Sequence, residues 1–147
     1  MELNSKNKRA MGVDYGDVRT GLALSDISGL LSSAYCTIKE GGMRNTAIRV
    51  ASEAEKNGVC LIVVGLPKNM DGSEGPRAEL VHSFVAILSE YTKTPIKMYD
   101  ERLSTMLSHR VLSMTGVGGK KRKNVVDALS AEIILQDYLD RNRQASI

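Results

Sequence analysis

Apolar and polar positions divide the chain into short blocks. Ala10-Met-Gly-Val-Asp14 is an apolar run carrying one acid, followed by a Gly16-Asp17 turn and a second apolar run ending at Ser25-Asp26. Residues 10–16 and 20–26 therefore predict the two strands of a hairpin. Ser33 to Lys39 alternates weakly and predicts a third strand, broken by Gly41-Gly42. Asn45 to Lys56 carries Ile48, Ala51 and Ala54 at helical spacing and ends at Asn57-Gly58, a C-terminal stop. Leu61-Ile-Val-Val-Gly65 is a continuous apolar run, as expected of a strand covered on both faces.

Pro67 to Gly75 predicts a loop with its turn at Asp71-Gly72. Ser73 or Gly75 suits the cap of the next helix and Pro76 its first turn. Leu80, Val81, Phe84, Val85 and Leu88 make the apolar stripe of that helix. Pro95 to Tyr99 predicts a strand ending in Asp100-Glu-Arg102. A helix follows from Ser104 or Thr105 to about Met114. Thr115 to Lys123 is a Gly-rich, then basic, loop, and Val125 to Asp140 is the last helix. The order β-β-β-α-β-α-β-α-α puts antiparallel pairing where turns are short and parallel pairing where helices intervene. The fold class is α/β, a mixed five-stranded sheet with helices on both faces.

The chain has 147 residues, enough for one domain with a real core, and residues 1–9 read as a flexible basic arm. Net charge is +3, which permits a polyanionic partner without requiring one. There is no Trp and only one Phe, so stacking on an aromatic platform is not the expected binding mode. Cys36 and Cys60 lie in apolar runs without metal-ligand neighbours and read as buried free thiols of a reducing compartment. The polar start is no signal peptide, and no apolar run is long enough to span a membrane, so a cytoplasmic protein is expected.

Three acids sit where secondary structure would hold them. Asp14 is in the first strand, Glu101 or its neighbour Asp100 closes the last, and Asp127 lies in the first turns of the final helix, on a stripe with Ala131, Ile134 and Tyr138. An acid inside a strand costs free energy unless it is paired, hydrated or bound to a cation. Convergent carboxylates favour a hard divalent ion, Mg²⁺ or Mn²⁺, and such ions support in-line phosphoryl displacement. Neither His82 nor His109 is placed for zinc. Each acid taken singly also has a bland explanation, as a charge complement at a helix start or a loop residue pairing with Arg102. Lys120-Lys-Arg-Lys123, read as lying just before a helix N-terminus, opposes the helix dipole; an anionic partner would account for it, and a solvated loop is the bland alternative.

Four blocks carry a family resemblance: Gly12-Val-Asp-Tyr-Gly-Asp-Val-Arg-Thr-Gly21 with Ser25-Asp26, Val64 to Arg77, Asp100-Glu-Arg-Leu-Ser-Thr105, and Asp127 to Leu139. Together they resemble the YqgF/RuvX family of Holliday junction resolvase-like proteins and pre-16S ribosomal RNA nucleases, over nearly the whole chain. The resemblance implies a ribonuclease H-like fold and a nuclease, a hydrolase acting on phosphoester bonds. Asp14, Glu101 and Asp127 would be its catalytic and metal-binding acids. It implies 5′-end processing of pre-16S ribosomal RNA in ribosome biogenesis, with cleavage of branched DNA as the alternative. Arg19, Arg77, Arg102, Lys120, Lys121, Arg122 and Lys123 would contact nucleic acid, and the protein would act as a monomer or homodimer away from membranes. Many ribonuclease H-like nucleases place the second acid at the end of the fourth strand. That position here reads Gly65-Leu66-Pro67, so Glu101 has to serve from the next strand. Strand alternation allows only one of Asp100 and Glu101 to face Asp14. Two other classes remain: an actin-like ATPase or sugar kinase, which needs a second such domain, and a non-catalytic nucleic-acid-binding module.

Overall fold

The computed structural model describes residues 7–103 and 119–145, with side chains over 7–102 and 127–143. The strands are β1 (Ala10–Asp14), β2 (Thr20–Ser25), β3 (Ser32–Ile38), β4 (Leu61–Leu66) and β5 (Ile96–Asp100). The helices are α1 (Met43–Lys56), α2 (Pro76–Leu88) and α3 (Gly119–Ala145), and Glu101–Leu103 forms a single 3₁₀ turn after β5. The sheet runs β3-β2-β1-β4-β5. β2 is antiparallel to both β1 and β3, and β4 and β5 are parallel to β1 and to each other. This is the mixed, doubly covered sheet expected from the order of elements.

Alternation along the strands builds two cores. Met11, Val13, Leu22, Ile62 and Val64 face α1 and α2, and Val50, Phe84 and Leu88 close that layer. Ala10, Ala23, Val63 and Tyr99 face α3 and meet Ala131, Ile134, Leu135 and Leu139. The α3 face is built of small residues because the helix lies very close to it. A Cβ at Gly12 would sit 2.7 Å from the Ala131 carbonyl oxygen, and one at Gly21 would run into the backbone of Asp127. These glycines bring α3, and with it Asp127, down onto the sheet.

Several expectations shift. Ile48 and Leu80 are exposed; α1 is anchored by Ala51 and Ala54 as expected, with Ala47 and Val50 in place of Ile48. Cys60 is exposed because it stands just before β4, and Cys36 is only partly buried because β3 is a sheet edge; both thiols are free. Residues 7–9 of the expected arm are tied to the body: the Lys8 N–H donates to the Ile27 carbonyl at 2.8 Å, and Arg9 Nε to the Ser25 carbonyl at 3.0 Å. The basic run Lys120 to Lys123 is not a loop, because α3 already begins at Gly119; Lys and Arg are good helix formers and extend the helix toward its start. Asp127 is consequently the ninth residue of α3 and lies beyond the reach of the N-terminal dipole, which falls off within the first turn. The helix expected from Ser104 or Thr105 to Met114, and His109 with it, lie outside the described residues. No helix among the described residues is long and apolar enough to cross a membrane.

Candidate active site

In a sheet of this kind, binding sites form beyond the carboxyl ends of the parallel strands. Asp14 ends β1, and Glu101 directly follows the end of β5, with β4 between them. Gly65 of β4 makes their meeting possible. A Cβ there would lie 2.9 Å from both Cγ and Oε2 of Glu101. Glu101 therefore folds back across β4 through the space that a larger residue would fill. The glycine of the fourth strand leaves the room that the Glu101 side chain occupies.

Both carboxyls are held toward their protonated forms. Burial pushes Asp14 well above the usual carboxylate range, and the nearby charges of Glu101 and then Asp127 push in the same direction, against Arg77. Burial also raises Glu101, opposed by Arg77 and reinforced by the charge of Asp100. Asp14 opens onto a cavity of about 380 Å³ that Tyr15, Arg19, Arg77 and Asp127 also line. Tyr15 is fixed beneath it by stacking on Phe84, ring centroids 4.4 Å apart. A larger hollow of about 700 Å³ lies between the end of α1 and residues 89–94, beyond the opposite end of the parallel strands, away from these acids.

Asp127 reaches the same cavity but is engaged by Arg19, whose Nε donates to its Oδ2 at 2.8 Å. Among the described residues, no three His, Cys, Asp or Glu side chains are gathered tightly enough to hold one metal ion. The chemistry of the donors nevertheless fits a hard divalent cation. Asp14 and Glu101 offer only oxygen, are partly shielded from water, and repel each other without a positive charge near them. Asp127 could join them through its second carboxylate oxygen or by leaving Arg19. His82 is exposed and pairs with Glu74 at 2.8 Å, which keeps it out of the site.

Asp100 has a different task from its neighbour. Its Oδ2 accepts from Arg102 Nη2 at 2.7 Å and Nε at 3.0 Å, and these hydrogen bonds hold its carboxyl below the usual range. The guanidinium assigned to nucleic acid at Arg102 is thus largely committed to Asp100. Sequence reasoning paired Arg102 with Glu101 and not with Asp100, and it missed the Arg19–Asp127 pair, whose members lie far apart in the chain. Glu101→Gln is therefore expected to lower any metal-dependent rate by on the order of 10² or more. Asp100→Asn should leave the chemical step near wild type while costing about 1 kcal/mol of stability. Parallel rates and melting curves check the contrast, which reverses if Asp100 is the working acid.

A Halothermothrix orenii protein named "Putative pre-16S rRNA nuclease" is 45% identical over 132 residues, covering 90% of this chain and 94% of its own. A Thermoanaerobacter pseudethanolicus protein of the same name is 41% identical, covering 92% of this chain and 98% of its own. Among solved structures, Thermus thermophilus RuvC in complex with a Holliday junction substrate superposes with a TM-score of 0.60 at 13% identity, over 93% of this chain and 96% of that one. The fowlpox virus Holliday junction resolvase does so with a TM-score of 0.52 at 13% identity, over 90% of this chain and 99% of that one. At such identities the likeness is one of fold, and that fold is ribonuclease H-like. The RuvX sequence profile, described as Holliday junction resolvase, matches residues 8–141, a span that includes Asp14, Glu101 and Asp127: the chain belongs to the RuvX family.

Proposed function

We propose that the protein is a divalent-metal-dependent nuclease that hydrolyses phosphodiester bonds in the 5′ leader of pre-16S ribosomal RNA. The observation that carries this reading is the meeting of Asp14 and Glu101 over Gly65, two carboxyls with raised pKa values beside an arginine-lined cavity. Such a pair suits Mg²⁺ or Mn²⁺, held by Asp14 and Glu101 and completed by Asp127. When bound, the ion supplies positive charge to the phosphoryl oxygens during in-line displacement by water. The chain's own residues do the rest. Arg77, exposed in the first turn of α2, makes no hydrogen bond or ion pair among the described residues, yet its charge reaches both buried acids. It is placed to take a non-bridging oxygen of the scissile phosphate. Arg19 can do the same once it releases Asp127. The names of the close relatives support RNA as substrate, and work on the ribosomal RNA precursor belongs in the cytoplasm.

The family description favours a second reading, cleavage of four-way DNA junctions. Incubating the protein with a pre-16S fragment and a four-way junction side by side, in Mg²⁺ and in Mn²⁺, separates them. Faster cutting of the RNA at a defined leader position supports the first reading, and cutting of the junction alone replaces it with the second.

The cations Lys120, Lys121, Arg122 and Lys123 occupy the start of α3, where the helix dipole disfavours them. We assign them to the substrate backbone. Replacing all four with Ala is expected to weaken binding for every sequence alike and to flatten the salt dependence by roughly 0.7–0.9 log unit per lost contact. Thermal stability should hold or rise. Titrations at several salt concentrations check this, and an unchanged slope would remove the run from the interface.

A further inference from the structure

The loop between β4 and α2 stands at the active-site end, and the chemistry above makes no use of it. Its tip residue, Met70, is 90% exposed, the most exposed large apolar side chain among the described residues. A single exposed apolar residue ordinarily needs no explanation. Met70, however, stands on a loop that is fixed from within. The Asn69 N–H donates to the Ser73 carbonyl at 2.8 Å and the Gly72 N–H to the Asn69 carbonyl at 2.9 Å. The Ser73 N–H donates to Asp71 Oδ1 at 2.9 Å, and Gly72 adopts φ +91°, which favours glycine.

The loop is also braced from outside. Arg102 Nη1 donates to the Met70 carbonyl at 3.3 Å, while the same guanidinium is locked to Asp100. Arg102 is the residue after Glu101, so the brace ties the carrier of Met70 to the carrier of an active-site acid. Fixing a loop costs conformational entropy, and the Met70 side chain gains no packing from it. What the brace achieves is to hold an apolar tip at a set place at the end of the sheet where the acids lie.

Apolar side chains held in this way on nucleic-acid-binding proteins pack against bases and part them from their neighbours, and every base offers an apolar face. We propose that Met70 packs against an unstacked nucleobase beside the scissile phosphate, so that the site prefers strands with unpaired nucleotides over continuous duplex. This rests on the nuclease reading above.

The test uses wild-type protein, Met70→Ala and Met70→Leu, without divalent metal so that nothing is cut. The probes are an RNA with 2-aminopurine at an unpaired position and a fully paired duplex of the same length. Wild type and Met70→Leu should change the 2-aminopurine fluorescence on binding. Met70→Ala should abolish that change and weaken binding of the unpaired probe by about tenfold. Duplex affinity and melting temperature should be the same in all three. Met70→Ala with an unaltered fluorescence change and preference overturns the proposal while leaving the nuclease reading intact. Failure of wild type to bind either probe overturns both.

Discussion

Asp14→Asn is expected to abolish cleavage while raising the thermal stability of the metal-free protein at neutral pH. Loss of one of two convergent carboxylates should cost on the order of 10² or more in rate. The stability effect follows from the direction of the pKa shift. Asp14 titrates in the folded protein well above the ordinary value of 3.8, through burial first and the charges of Glu101 and Asp127 second. Between those two pKa values the folded state binds more protons than the unfolded state, so stability falls as pH rises through that window. Below 3.8 the penalty is absent, and above the folded-state pKa it is fully present. Asn carries no charge and escapes it. The variant should therefore melt above wild type at neutral pH, and the difference should close in acid. Mg²⁺ or Mn²⁺ should raise the melting temperature of wild type more than that of the variant. Melting curves across pH, with and without metal, check both parts. A variant that melts lower at neutral pH would mean that the Asp14 carboxylate is stabilised by a partner.

Gly21→Ala is the substitution expected to damage the fold most. A Cβ at this position would collide with the Asp127 carbonyl, and the obstacle is backbone inside a packed helix. Relief requires α3 to lift from β2, which opens the core formed by Ala23, Ala131 and Leu135. Overpacking of this kind costs about 3 kcal/mol, and for a chain of this size that lowers the melting temperature by roughly 6–12 °C. Asp127 would move with the helix, so activity should fall even in the fraction that folds. Gly41→Ala is the control, since nothing lies within 4 Å of a Cβ there. Its melting temperature should stay close to wild type. If both variants behave alike, the close approach of α3 to β2 is wrong.

The order of the strands and the mixed pairing were legible because the chain alternates, breaks and caps by local rules. Pro76 behind Gly75 opens α2 as read, and Asp14 stands in β1 as read, although that strand ends at Asp14 and not at Gly16. Strand alternation alone said only that Glu101 and Asp100 face apart, and the choice of Glu101 came from the family motif. In the structure Glu101 packs against Gly65, a residue from a neighbouring strand, while Arg102 grips Asp100. The start of α3 was misread because a Gly-rich, basic stretch looks like a loop, whereas its Lys and Arg residues continue the helix. The dipole argument for Asp127 fell with that boundary. The pairing of Arg19 with Asp127 joins residues 108 positions apart, and no spacing in the chain announces it.

The most direct test is cleavage of a 5′-labelled pre-16S RNA fragment by wild type, Asp14→Asn and Glu101→Gln, each shown to be folded by its melting curve, in Mg²⁺ and in EDTA. The expected result is cleavage at a defined leader position by wild type in Mg²⁺ only, with both variants slower by on the order of 10² or more. Cleavage that persists in EDTA, or that either folded variant performs at the wild-type rate, would contradict an active site built on Asp14 and Glu101.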